Sequence, residues 1–228
     1  MSTTAPFETL TDEYDAWYDE HAGTYRAERA ALEVALPDRE SIESGRAVEV
    51  GVGTGRFAAS LGVPVGVDPA RNPLERARER GVDPVLGVAE HFPIADDALD
   101  LVLVATTLCF VDALETTLEE CRRSLRPEGT LVVGLLDRTS PLGRRYRERK
   151  SESPFYADAT FLSATEIEAA LERAGFAVDG RWQAVFDEPA ELEVEVGEPD
   201  EATDALDAVG VREGHGDGLF AVVRARVR

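Results

Sequence analysis

Apolar and polar positions along the chain fall into two alternating rhythms. Short, largely apolar runs stand at residues 47–50, 63–67, 82–86, 100–105 and 130–136. Between them, residues 56–61, 72–80 and 112–125 carry helical spacing, the last stopped by Pro127 and Gly129. Short apolar runs alternating with helix-length segments predict βαβ units and a parallel sheet. The run from Asp100 to Ala105 is apolar enough for a strand covered on both faces. Ahead of this core, residues 11–36 predict one or two helices with Tyr14, Trp17, Tyr18 and Tyr25 among them. Behind it, residues 163–174 predict a helix, with Ser163 and Glu166 as a capping box and Gly175 as its stop. Residues 176–186 and 219–227 predict two final strands, which makes seven. Residues 187–207 between them are strongly acidic and predict a solvated loop or extended hairpin.

Composition narrows the class of partner. The 228 residues carry a formal net charge of -21, and Lys150 is the one lysine. Such a surface repels phosphate backbones, so nucleic acid is not expected as a partner. Many carboxylates with almost no lysine suit a protein built for concentrated salt, as in the cytoplasm of halophiles. The alternative is an ordinary acidic protein. No run approaches a membrane span, and the N-terminus has neither a basic region nor an apolar stretch. A cytoplasmic protein without a membrane partner is expected. Cys109 and Cys121 are too few for a disulfide framework, and Cys109, in an apolar run, is expected to be a buried free thiol.

The chemistry centres on Glu49-Val50-Gly51-Val52-Gly53-Thr54-Gly55, a strand, a glycine turn and the start of a helix. Such a turn lets a ligand approach the main chain, and the helix behind it offers free N–H groups. The spacing is G-x-G-x-G, and Arg56 follows where a dinucleotide fingerprint carries its third glycine. Glu49 ahead of the loop would repel a pyrophosphate but would stabilise an ammonium group. Asp68 closes the second strand, where a carboxylate can accept hydrogen bonds from both hydroxyls of a ribose. Its competing role is to cap the following helix.

With Gly87-Val88-Ala89-Glu90-His91-Phe92-Pro93-Ile94 the set of motifs is complete. The chain resembles class I S-adenosylmethionine-dependent methyltransferases of the small-molecule group that includes the ubiquinone/menaquinone-biosynthesis methyltransferases. The matching motifs are VEVGVGTGRF, GVDPA, GVAEHFPIADDALDLVLV and LRPEGTLVVG, covering about residues 46–136 in order. The resemblance implies an α/β, Rossmann-like, seven-stranded and mostly parallel sheet, with helices on both faces, an antiparallel last strand and a small N-terminal helical lid. It implies S-adenosyl-L-methionine as cofactor, with Glu49, Gly51, Gly53 and Gly55 at its methionine end. Asp68 would hold the ribose and Pro69 would lie beside the adenine. Ala89 and Glu90 would meet the adenine edge, and Thr106 and Thr107 would lie below the sulfonium. An aromatic of the lid would approach the cofactor, Tyr25 as first choice and Tyr14 as second.

The expected organisation is a single domain, 1–228: a lid at 1–40, a cofactor core at 46–136, a substrate cover at 138–160 and a C-terminal unit at 161–228. The expected reaction is in-line transfer of a methyl group to a small-molecule acceptor. If the acceptor must lose a proton, His21, Asp137, Tyr146 and Tyr156 are the candidate bases. His91 and His215 are expected at the surface, and no His/Cys cluster suggests a metal. Arg144, Arg145, Arg147, Arg149 and Lys150 either form a solvated helix face or hold an anionic group of the acceptor. The rival functions are a non-catalytic cofactor-binding protein and an NAD-dependent oxidoreductase, against which Arg56 and Glu49 argue. For the charge pattern the expected outcome is a melting temperature that rises from dilute buffer to molar KCl. A melting temperature indifferent to salt would leave the ordinary acidic protein.

Overall fold

The computed structural model describes residues 4–39, 42, 46–186 and 209–228. Three helices come first, α1 (Ala5–Thr9), α2 (Thr11–Glu20) and α3 (Ala22–Ala35). The alternating core follows with β1 (Ala47–Val50), α4 (Arg56–Leu61), β2 (Val65–Asp68), α5 (Arg71–Glu79), β3 (Asp83–Leu86) and β4 (Leu99–Ala105). It continues through α6 (Leu114–Ser124), β5 (Leu125–Leu136) and α7 (Pro141–Arg149), with a 3-10 turn over Lys150–Glu152. Helix α8 (Ala164–Arg173) and strands β6 (Phe176–Phe186), β7 (Val209–Glu213) and β8 (Phe220–Val227) complete it.

The strands form one sheet in the order β3-β2-β1-β4-β5-β8-β6-β7. The first five pair in parallel, and β8 runs antiparallel between β5 and β6. Among the described residues the sheet has eight strands where the sequence predicts seven. The addition is β7, which pairs with β6 from Trp182↔Glu213 to Phe186↔Val209. It is short, holds Gly210 and adjoins the acidic stretch, so its apolar pattern is faint. That stretch, 187–207, lies outside the described residues. Strand β5 also starts earlier than expected. Leu125 pairs with Leu99, the register slips before Leu101, and Pro127 sits in an exposed excursion where its missing N–H costs nothing.

Side chains alternate between two cores, as strand geometry requires. Leu101, Leu103, Val132 and Val222 face α3, α4 and α5 through Leu32, Phe57 and Ala77. Val102, Val104, Val133 and Val223 face α6 and α8 through Leu118, Ile167 and Leu171. Helix α8 begins with the expected capping box, Ser163 and Glu166 bonding reciprocally. Residues 11–36 form two helices, α2 and α3, within the expected one or two, and α1 precedes them.

Helix α2 is clamped to the glycine loop by a network of charge. The Asp15 carboxylate accepts the Thr54 hydroxyl, Arg56 Nε and Arg80 Nη2, each at 2.7 Å. Arg56 also donates to both carboxylate oxygens of Asp19, at 2.8 and 2.9 Å. Arg80 completes the ring on the Thr54 carbonyl at 2.7 Å. The arginine that stands where a dinucleotide fold would have glycine is therefore the anchor of α2. Partial burial pushes the Asp15 carboxyl up, but the hydrogen bonds from Arg56, Thr54 and Arg80 outweigh it and hold it at about 2. A folded-state value below the ordinary 3.8 stabilises the fold above that pH and ceases to do so as pH falls through 2. Asp15→Ala is expected to destabilise by about 1.5–3 kcal/mol, the range for hydrogen bonds to charged groups. Acid titration of stability checks the assignment: the advantage of wild type over Asp15→Asn should shrink between pH 4 and 2, whereas a constant gap would remove Asp15 as the titrating group.

Candidate active site

Strands β1 and β4 are neighbours in the sheet, but the chain leaves them toward opposite edges. At such a switch point the loops diverge, and a crevice opens beyond the carboxyl ends of the strands. Here it is a cleft of about 550 Å³, with Gly51, Gly53, Asp68, Pro69, Ala89, Glu90, Thr106 and Thr107 on its walls and Tyr14 of α2 across it.

Asp68 is the organising group of the cleft. Its Oδ2 accepts the Gly53 N–H at 2.9 Å and its Oδ1 the Ala70 N–H at 2.8 Å. Burial raises its carboxyl, the two N–H groups oppose the rise, and the result is about 6. The group is thus mostly ionised at neutral pH, with lone pairs left to accept two hydroxyls. Gly51 has φ +75°, and a Cβ there would stand 2.1 Å from the Thr107 hydroxyl oxygen, so only glycine fits. Thr106 adopts φ +52° and bonds the Gly134 carbonyl at 2.8 Å, which turns the chain sharply out of β4. Glu90 accepts the Asp112 N–H at 2.8 Å and so ties the far loop to the cleft.

Three residues of the expected cofactor set stand off the cleft wall. Tyr25 turns its hydroxyl to the Arg56 carbonyl at 2.9 Å, and Tyr14 faces the cleft instead. Gly55 packs on α5, where a Cβ would come within 2.9 Å of Ala77. Glu49 is fully buried, its Oε2 has no partner among the described residues, and burial pushes its carboxyl well above the usual range.

A second cavity, of about 500 Å³, opens beside the first. Tyr14 and Thr106 line both. Its walls are aromatic, with Trp17, Tyr18, Tyr146, Phe155 and Tyr156, and Arg145, Arg149 and Glu152 form an exposed rim. The Tyr14 and Tyr18 hydroxyls bond each other at 3.1 Å. Burial pushes Tyr14 up to about 12 and Tyr18 and Tyr156 well above their ordinary range. All are neutral phenols at physiological pH.

Glu28 of α3 also lines this cavity, and sequence reasoning missed it. It is 5% exposed and has no hydrogen-bond or ion-pair partner among the described residues. Burial alone lifts its carboxyl to about 8. One signal in the sequence could have found it. Glu28 falls on the buried stripe of α3 with Ala27, Ala31, Leu32 and Ala35.

Of the four candidate bases, Tyr146 and Tyr156 line the second cavity. His21 does not, being stacked on Trp17 at 4.3 Å with Nδ1 on the Trp17 carbonyl. Asp137 is fully buried and serves the turn into α7, accepting the Thr139 N–H and hydroxyl. His215, expected at the surface, is instead half-buried, with Nε2 3.1 Å from Glu168. Cys121 is buried and Cys109 half-buried, and both are free thiols. Among the described residues no cluster of metal ligands occurs, and no helix is long and apolar enough to cross a membrane.

Comparison with known proteins joins the geometry to a family. A family profile described as a methyltransferase domain matches residues 48–133. A solved S-adenosylmethionine-dependent methyltransferase of Thermotoga maritima, described as a possible histamine N-methyltransferase, is 38% identical. It superposes with a TM-score of 0.86 over 99% of this chain and 100% of its own. An uncharacterised protein of Methanocaldococcus jannaschii is 35% identical over 96% of this chain and 97% of its own. A malonyl-[acyl-carrier protein] O-methyltransferase of Geobacter sulfurreducens is 32% identical over 75% of this chain and 68% of its own. The glycine loop, the acid at the end of β2 and the crevice between them are thus found in a chain that belongs to the S-adenosylmethionine-dependent methyltransferases, with S-adenosylmethionine as its cofactor.

Proposed function

We propose that the enzyme methylates a small molecule held in the second cavity. The observation that carries the reading is the shared boundary: Tyr14 and Thr106 line both the cofactor cleft and the adjoining cavity. An acceptor in one cavity then meets a donor in the other at a single junction. Bound S-adenosylmethionine supplies a methyl group already activated by its sulfonium. What the protein adds is alignment and exclusion of water, which at best is worth about 7–11 kcal/mol. Helices α1–α3 act as the lid, residues 138–160 as the cover, and the Asp15 clamp holds the lid on the core. The aromatic walls keep the junction dry.

On the cofactor side, Asp68 accepts the ribose hydroxyls, and Gly51 and Gly53 admit the methionine end. Pro69, Ala89 and Glu90 enclose the adenine, and Thr106 and Thr107 lie under the reacting centre, with Tyr14 as the lid aromatic. The cradle fits: a side chain at Gly53 would project into open space, with nothing within 4 Å of its Cβ. Arg145 and Arg149 stand at the exposed rim through which the acceptor enters. The T. maritima and G. sulfurreducens relatives are named for different accepting atoms, so our reading commits to the size of the acceptor, in keeping with the ubiquinone/menaquinone-type group. The charge pattern supports work in a cytoplasm of concentrated salt.

Two measurements test this. Calorimetric titration in molar KCl should show S-adenosylmethionine and S-adenosylhomocysteine binding and NAD(H) not binding. Asp68→Ala should weaken both adenosyl ligands about 10- to 100-fold, as loss of hydrogen bonds to a charged group implies. Affinity in wild type should also fall as pH drops below about 6 and Asp68 takes up a proton. Binding indifferent to both changes would remove Asp68 from the ribose. Second, enzyme supplied with methyl-labelled donor and an ultrafiltered metabolite extract should label the small-molecule fraction. Thr24→Trp, which fills the second cavity, should abolish that labelling and spare S-adenosylhomocysteine binding. Label carried instead by a protein or nucleic-acid fraction would overturn the small-molecule reading.

A further inference from the structure

The second cavity contains a charge arrangement that methyl transfer in general does not require. A buried carboxyl, Glu28, lines an aromatic enclosure and has no cation, N–H or hydroxyl bonded to it among the described residues. An isolated buried carboxyl is costly, and proteins retain one where something else completes it. Among the groups that line the same cavity, Arg145 and Arg149 belong to the exposed rim. Lys150 is committed to the Ala159 carbonyl at 2.7 Å, and Arg149 to Glu152 at 2.9 Å. The phenols of Tyr14, Tyr18, Tyr146 and Tyr156 bring no charge. A cavity lined by one buried carboxyl and by π-faces is complementary to an ammonium group, which ion-pairs with the first and is attracted by the second.

We propose that the acceptor is a small amine and that Glu28 is its binding and proton-accepting residue. The inference rests on the reading of the second cavity as the acceptor site. The amine enters as its ammonium form and pairs with the Glu28 carboxylate. One N–H proton passes to the carboxylate and leaves a lone pair on nitrogen. That nitrogen takes the methyl group as the N–CH3 bond forms and the donor S–CH3 bond breaks. The products are an N-methylammonium ion and S-adenosylhomocysteine, and the protonated Glu28 then returns its proton to water. Burial sets the Glu28 carboxyl at about 8, close to the working range of a base at neutral pH. The other titratable and charged groups lining the cavity are Tyr14 and Tyr18 from α2, Tyr146, Arg145 and Arg149 from α7, and Lys150, Glu152 and Tyr156 beyond it. The phenols remain neutral, so Glu28 is the group in the enclosure placed to take a proton at physiological pH.

The test is binding to the S-adenosylhomocysteine-loaded enzyme in molar KCl, with 2-phenylethylamine, tryptamine and 1,4-butanediamine as probes and 3-phenylpropionate as the anionic counterpart. At least one amine should bind wild type, and Glu28→Gln should weaken it tenfold or more, with Glu28→Asp between them. Binding should release a proton below pH 8, read from its dependence on buffer ionisation enthalpy. Glu28→Leu should raise the melting temperature, because it removes an unpaired buried carboxyl, where a residue kept for the fold would lower it. No amine bound, amines bound equally by Glu28→Gln, or preferential binding of 3-phenylpropionate would each overturn the proposal. S-adenosylhomocysteine binding is read first in every variant. Its loss across all of them would refute the cofactor site rather than the role of Glu28.

Discussion

The parting of β1 and β4 is the constraint on which the rest of the structure depends. Parallel strands must be joined over the faces of the sheet, and a doubly wound sheet has one place where the two directions of winding diverge. No backbone can cross that gap, so the cleft is a consequence of topology before it is a binding site. What the sequence adds is chemistry at the rim. Glycines with positive φ let the loop hug the gap, and Asp68 reaches over to the Gly53 N–H and holds the loop open. The second cavity has a different origin. It is the space left between the core and helices that precede and follow its parallel strands, α2 and α3 on one side and α7 on the other. Its shape therefore depends on how α2 is seated, which is the work of Asp15, Arg56 and Arg80.

Local signals were legible in the sequence and distant pairings were not. The strands β1 to β5, the glycine loop and the capping box of α8 are written within a few neighbouring residues, and reading them needs no knowledge of tertiary contacts. Arg56 shows the limit. Its presence argued against a dinucleotide fingerprint, but its partners lie 37 and 41 residues away, so its role as an anchor has no local mark. Tyr25 and Tyr14 show it again. Both are aromatics of the N-terminal helices, and the choice between them depends on the rotation of α2 and α3, which only packing sets. Strand β7 was missed because an edge strand buries little and needs little apolar pattern.

Glu28 is the most instructive omission. In a chain with 45 acidic residues, one more glutamate on a helix carries almost no information by itself. Its meaning lies in phase. The other acid of α3, Glu33, is exposed to solvent, whereas Glu28 shares the face of Ala31, Leu32 and Ala35. A helical charge that breaks an apolar stripe is the buried polar group most worth attention, since burial without a partner is where the free-energy cost falls.

The two cavities hold carboxyls that the same force has pushed in the same direction to different extents. Burial raises both Asp68 and Glu28. Asp68 receives two backbone N–H bonds that favour its charged form and stays near 6, while Glu28 receives none and rises to about 8. At neutral pH the first is mostly an ionised acceptor of hydrogen bonds and the second is mostly a neutral acid that gives up its proton near pH 8. Hydrogen bonding to the main chain thus separates a binding carboxylate from one able to exchange a proton, in a fold that has used the same side-chain chemistry twice. The difference follows from where each carboxyl sits. Asp68 stands at a strand end, where the turn supplies free N–H groups. Glu28 stands in mid-helix, where every nearby N–H is already bonded along the helix and none is left to hold the charge.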